Sequence, residues 1–447
     1  MPQDAQGNSL TIASEEAARA FDHVIDGFLR YRFDTGARLK ALTKLDPEAP
    51  LPQAMAGLFA MLAYDAALVP RAEAAADRAA ALNPNPREAA HIAALRAWAA
   101  GRPDQALAIW EQIVAEHPRD LLAFRLHHFA AFWMGAPGRM LGQVERVMPH
   151  WSSAVPGFGA ILACHCFASE ECGLYTVAEH SGRAAVALDP GDLWATHGVA
   201  HVLEMQGRRS EGIAWLDAGE RHWEGGNNLM HHLWWHRAMF HVERAEFDDV
   251  LALYDRRFRD AGSPVTQAQP DLYIDVQNAA SMLWRLERQG VPGGDRWTEL
   301  ADKAEKRIGD TLSAFTQPHW MMALAATGRD DAAQRLLAAV EEAGRGNTSH
   351  AATLREAALP ACTAVLAHAQ GRHAEAVAAL RPALGGLHRL GGSHAQQDVL
   401  EQLFLDAAMK AGLEADARLL LERAAGRHPV PPERRIGYAA AARAVSH

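Results

Sequence analysis

Residues 83–118 read NPNPREAAHIAALRAWAAGRPDQALAIWEQIVAEHP, and the punctuation of this stretch decides the fold. Asn85 stands before Pro86, a capping residue followed by the one residue whose missing N–H costs nothing in a first helical turn. The helix it opens runs to Gly101, which sits at a turn, and a second helix carries Ala106 near its start. That helix ends at His117-Pro118, and Asn83-Pro84 ends the preceding one. From Pro84 to Pro118 is 34 residues.

A period of 34 residues built of two helices and a turn is the tetratricopeptide period. The same small residues recur at matching offsets: Ala72, Ala79 and Pro84 before this unit, and Ala178, Ala185 and Pro190 after it. Gly412, Ala417, Ala424 and Pro429 repeat the set near the C-terminus. Gly207-Arg208-Arg209, Gly328-Arg329-Asp330 and Gly371-Arg372-His373 each follow an apolar helix and precede an Ala/Leu-rich one, so they are read as further turns. Alternation of β-branched residues at period two is nearly absent. The expected fold is all-α, a right-handed superhelix of tetratricopeptide-like helical hairpins, or α-solenoid. Three stretches are distinguished: 1–120 with N-terminal helices and regular hairpins, 121–330 with central hairpins, and 331–447 with C-terminal hairpins. Long loops are expected at 261–270 and 290–295. The first helix of each hairpin should line the concave face, at about 87–100, 121–134, 194–206, 230–244, 275–288, 317–326, 354–370 and 393–410.

With 49% hydrophobic and 22% charged residues over 447 positions, the chain can build a continuous core. A net charge of -10 argues against a nucleic-acid footprint, which needs a Lys/Arg-rich face. No apolar run is long enough to span a membrane, and the opening MPQDAQGN lacks the basic and apolar regions of a secretory signal, so a cytoplasmic location is expected. Cys164, Cys166, Cys172 and Cys362 do not form a disulfide framework and are read as buried thiols. Histidine is the outlier, with 23 residues against five lysines.

Two of those histidine groups carry the candidate chemistry. His197, His201 and Glu204 sit at i, i+4 and i+7, on one narrow helical face. One hairpin later His232 and His236 repeat the i, i+4 pair around Trp234 and Trp235. Both runs fall on first helices, so they should face one groove, extended by Asp275, His319 and, from the other side, His127 and His128. His201, His236, Asp275 and Glu204 are the candidate acid–base residues. His127, His197, His232, Trp235, His319 and Gln396 are candidate ligand contacts. Imidazole and carboxylate are also ligands for Zn²⁺ and related ions, and a metal would be held by His197, His201, His232 and His236. Packing histidines remain the bland alternative. The run is not H-E-x-x-H, because Gly198 follows His197. Ser393 with Gln396 three residues on reads as a capping box rather than a nucleophile. No glycine-rich phosphate loop occurs, so no nucleotide cofactor is implied.

Several of these stretches together resemble the tetratricopeptide-repeat protein 38 family. They are His197-Gly198-Val199-Ala200-His201-Val202-Leu203-Glu204-Met205, Trp235-His236 with Leu253-Tyr254-Asp255, and Asp275 with Ser281-Met282-Leu283-Trp284-Arg285-Leu286. Gly290-Val291, Arg296-Trp297, Leu390-Gly391-Gly392-Ser393 and Ala395-Gln396 through Asp398-Val399 continue the match over about residues 120–430. The resemblance implies a helical-repeat protein without a settled activity, and its motifs fall on the same groove.

Three functions stay open on these residues. One is a small-molecule site, with hydrolysis as its chemistry, in a pocket lined by His, Asp, Glu and Trp. The second is a peptide- or protein-binding scaffold, the commonest use of such arrays. The third is a metal site. A homo-oligomer is also compatible with the outer helix faces. The near absence of lysine favours the first reading, since peptide grooves of this fold rely on Lys, Arg and Asn.

Overall fold

The computed structural model describes residues 2–445. Helix makes up 74% of it, and no strand occurs among the described residues. The chain is an all-α succession of helical hairpins, consecutive helices packing on each other. It divides into two compact units, one of residues 1–199 with 218–230, the other of residues 200–217 with 231–447. The division passes through the Leu193–Met205 helix.

The first unit contains residues 83–118. Asn85 Oδ1 accepts from the Glu88 N–H at 3.0 Å, and Glu88 Oε2 accepts from the Asn85 N–H at 3.0 Å, a reciprocal box that starts Pro86–Ala99. Gly101, at φ 71°, turns the chain into Pro103–Glu116. Helix pairs here approach closely because their shared faces are small: Ala72, Ala75, Ala76 and Ala79 of Val69–Ala80 are all fully buried. The next pairs are Leu121–Trp133 with Pro137–Val147, and Phe158–Glu171 with Tyr175–Leu188.

The second unit holds all but the first two residues of Leu229–Val242 with Phe247–Leu253, Tyr273–Arg288 with Arg296–Lys306, Thr316–Ala326 with Asp330–Gly344, and His394–Lys410 with Glu414–Arg427. Between the last two pairs, Leu359–Ala369 is entered through a π-helical turn at Leu354–Ala358 and returns as His373–Leu380. Most expected helices are found within one or two residues. The 261–270 loop differs, because Ser263 caps a short helix at Pro264–Ala268. Cys164, Cys166 and Cys362 are buried free thiols, whereas Cys172 is only half-buried. No helix among the described residues is long and apolar enough to cross a membrane.

The largest departure from the sequence reading concerns exposure. The inner helices are not an open groove wall. Along Leu193–Met205 every residue but Glu204 is buried, and Leu229–Val242 and Tyr273–Arg288 are almost as enclosed. A helix apolar on nearly all sides belongs to a core.

Candidate functional site

Helical spacing alone brings His201 and Glu204 to one face of Leu193–Met205, and His232 and His236 to one face of Leu229–Val242. The second unit packs these faces together. The His201 and His236 rings lie 4.4 Å apart between centroids, and His232 and His236 lie 4.7 Å apart. One ring nitrogen from each of the three lies within 4.8 Å of the others. Trp235 stacks almost parallel on His232 at 5.2 Å, closing one side.

Oxygen atoms flank the outer side of two rings. Oε2 of Glu204 is 2.8 Å from Nδ1 of His236, and Oδ1 of Asn278 is 3.0 Å from Nδ1 of His232. Burial pushes His236 down to about 3, since no water can solvate an imidazolium there. His201 and His232 fall well below the usual imidazole range for the same reason, aided by their histidine neighbours. Burial pushes Glu204 up to about 8, against the attraction of Arg285. The cluster is therefore a set of neutral imidazoles.

Asp275 does not join the three rings. It pairs with His231, whose Nδ1 lies 3.1 Å from Oδ2, because His231 and His232 are adjacent and point to different neighbours. His319 is buried on Thr316–Ala326 and donates through Nδ1 to the Phe315 carbonyl at 2.8 Å. Gln396 is engaged in capping: its Oε1 accepts from the Ser393 N–H at 3.0 Å, and Ser393 Oγ accepts from the Gln396 N–H at 3.3 Å. Ser393 is thus the N-cap of His394–Lys410. His127, His128 and His197 belong to the first unit. His127 is buried on Leu121–Trp133, His128 stands near Phe124 and Trp194, and His197 stacks on Phe167 at 5.3 Å.

A cleft of the second unit reaches the edge of this cluster. It is small and partly open to solvent. Glu204 is in its wall, with Met205, Met239, Phe240 and Val430 supplying apolar surface. Arg209, Glu243, His394, Asp398 and Arg435 supply charge and hydrogen-bonding capacity. Arg209 Nη2 donates to Glu243 Oε2 at 2.7 Å. Asp398 accepts from Arg435 at 2.5 Å and from Gln402 at 2.6 Å, and Tyr438 donates to it as well. Burial opposes the charge on Asp398, but Arg435 and Arg285 outweigh it and hold the carboxyl at about 2. Arg285 in turn donates to the Ala395 carbonyl at 2.9 Å and lies over the Trp235 ring.

The three imidazoles stand behind the cleft wall, and Glu204 is their link to it. His231, Asn278 and the Arg285–Asp398–Arg435 network were not singled out as site residues by spacing. Arg285 and Asp398 do fall within the motifs that carry the family resemblance. Arg435 lies beyond the last hairpin, where no periodic signal exists.

No family model matches the sequence. Among solved structures, the crystal structure of yeast Tom70 aligns with a TM-score of 0.39 at 11% identity, covering 97% of this chain and 96% of that one. A structure of Naa15/Naa10 bound to HypK-THB aligns with a TM-score of 0.25 at 12% identity, covering 93% of this chain and 64% of that one. Likenesses this weak bear on no ligand or partner.

Proposed function

We propose that the chain is a helical-repeat binding scaffold whose second unit takes a peptide segment of a protein partner into the cleft. The observation that supports this is the make-up of the cleft. Apolar surface from Met205, Met239, Phe240 and Val430 is bordered by the Arg209–Glu243 and Asp398–Arg435 pairs. Such a lining suits an apolar side chain flanked by peptide N–H and C=O groups. Arg209 and Arg435 there supply the grip that lysine gives in other grooves of this kind. The three imidazoles are buried and none of them lines the cleft. Membership of the tetratricopeptide-repeat protein 38 family belongs to the same proposal and rests on the sequence motifs; a cytoplasmic location belongs to it too, supported by the lack of a membrane-spanning helix among the described residues.

One observation favours a second reading, a small-molecule or hydrolytic site. Glu204 and His236 form a carboxyl–imidazole pair of the kind used for proton transfer, and Glu204 is in the cleft wall. A displayed random-peptide library separates the two, panned on the full chain and counter-panned on Val430→Trp, which fills the cleft. Peptides enriched by the first and lost with the second support the scaffold. Failure to enrich, together with a metabolite or ester whose thermal shift disappears in Glu204→Gln, supports the second reading.

A further inference from the structure

We propose that His201, His232 and His236 of the second unit bind one transition-metal ion, of the zinc type, within the helical core. The inference goes beyond peptide binding and does not depend on it.

The geometry carries it. Three imidazoles come from two neighbouring helices, and one ring nitrogen of each lies within 4.8 Å of the others. Metal–nitrogen bonds are about 2.0–2.1 Å, so ligand nitrogens around one tetrahedral ion stand about 3.4 Å apart. A bound ion would draw the three rings inward by side-chain rotation, with the helices in place.

The surroundings match those of a ligand set. A metal-binding histidine characteristically gives its other ring N–H to a carboxylate or amide oxygen, which fixes the tautomer and aims the lone pair. His232 has Oδ1 of Asn278 at its Nδ1, and His236 has Oε2 of Glu204 at its Nδ1. In that tautomer Nε2 is the atom of each ring that can coordinate. Neutral imidazoles select Zn²⁺, Co²⁺, Ni²⁺ or Cu²⁺ over Mg²⁺ and Ca²⁺, which require oxygen.

A second group, His241 with Glu246 and Asp249, provides the internal control, since it runs from buried His241 to exposed Asp249 and carries two carboxylates. The test uses the full chain without a histidine tag, stripped with chelator and titrated with Zn²⁺ and, separately, Co²⁺. The expected result is one equivalent of Zn²⁺ bound and the intense visible absorption of low-coordinate Co²⁺. Both should be lost in His201→Ala and His232→Ala and kept in His241→Ala. Asn278→Leu retains all three rings and covers the case in which a histidine variant fails to fold. It should weaken Zn²⁺ binding by about 10–100-fold with the helical circular dichroism unchanged. Absence of saturable binding, or binding lost only in His241→Ala, would overturn the proposal. So would affinity unchanged in Asn278→Leu.

Discussion

Oε2 of Glu204 lies 2.8 Å from Nδ1 of His236, joining a residue of the cleft wall to a ring with no exposed surface. The two come from consecutive inner helices, 32 positions apart, so this hydrogen bond ties the sequence pattern to the packed site. Removing one partner leaves the other buried without it, which costs about 1–3 kcal/mol. Glu204→Ala and His236→Ala should each destabilise by that amount. The double variant should cost less than the sum, with a coupling of about 0.5–3 kcal/mol. Additive effects in urea unfolding would show that the pair does not act as a unit.

His319 gives the sequence reading a pH test. Burial is the main cause that lowers it to about 4, from an ordinary value of 6.5. Its folded value is the depressed one, so the unfolded chain takes up the proton first as pH falls. Its contribution is therefore complete above about 6.5 and is lost on going down to about 4, at a slope of up to about 1.4 kcal/mol per pH unit. His319→Leu should remove that part of the slope across this window. Equal slopes for wild type and variant in denaturant midpoints would contradict the buried neutral assignment.

The turn positions offer a pair of opposite substitutions. Gly207 turns the chain at φ 68°, and Ala245 does the same at the next hairpin at φ 56° with a Cβ that disfavours it. Ala245→Gly should leave stability unchanged or raise it by up to about 1 kcal/mol, strain relief being set against a more flexible unfolded chain. Gly207→Ala should lower it by about 1–2 kcal/mol, since a Cβ there would also stand 2.8 Å from Cγ2 of Val430. Thermal melts in the reverse order would refute the shared-turn account.

Ser393 is expected to be unreactive. Its Oγ accepts from the Gln396 N–H as an N-cap, and Ser393→Ala should cost about 0.5–2 kcal/mol. Labelling of Ser393 by a fluorophosphonate probe would refute this.

The sequence revealed what local physics sets. The cap at Asn85, the turns at Gly101, Gly207 and Gly371, and the i, i+4 spacing of the histidine pairs depend on residues within a turn or two of each other. The rest depends on what packs against them. His201 and His236 were expected on a groove face, and whether an inner face is groove or core is decided by helices far along the chain. His394–Lys410 packs against Tyr273–Arg288 and helps to enclose this region. Asp275 was expected beside the two pairs, yet it binds His231, a choice that rests on the relative rotation of two helices. Asp398 meets Arg435 and Tyr438 through a C-terminal segment with no periodic pattern.

The central claim is that the cleft bounded by Glu204, Arg209, Glu243, Asp398 and Val430 is where a peptide binds. Its most direct test is calorimetric titration of a peptide selected on the full chain, comparing wild type with Val430→Trp. The account predicts a saturable interaction in wild type, weakened by about tenfold or more, roughly 1.4 kcal/mol, in the variant with the fold intact. Equal affinity for both proteins would contradict it.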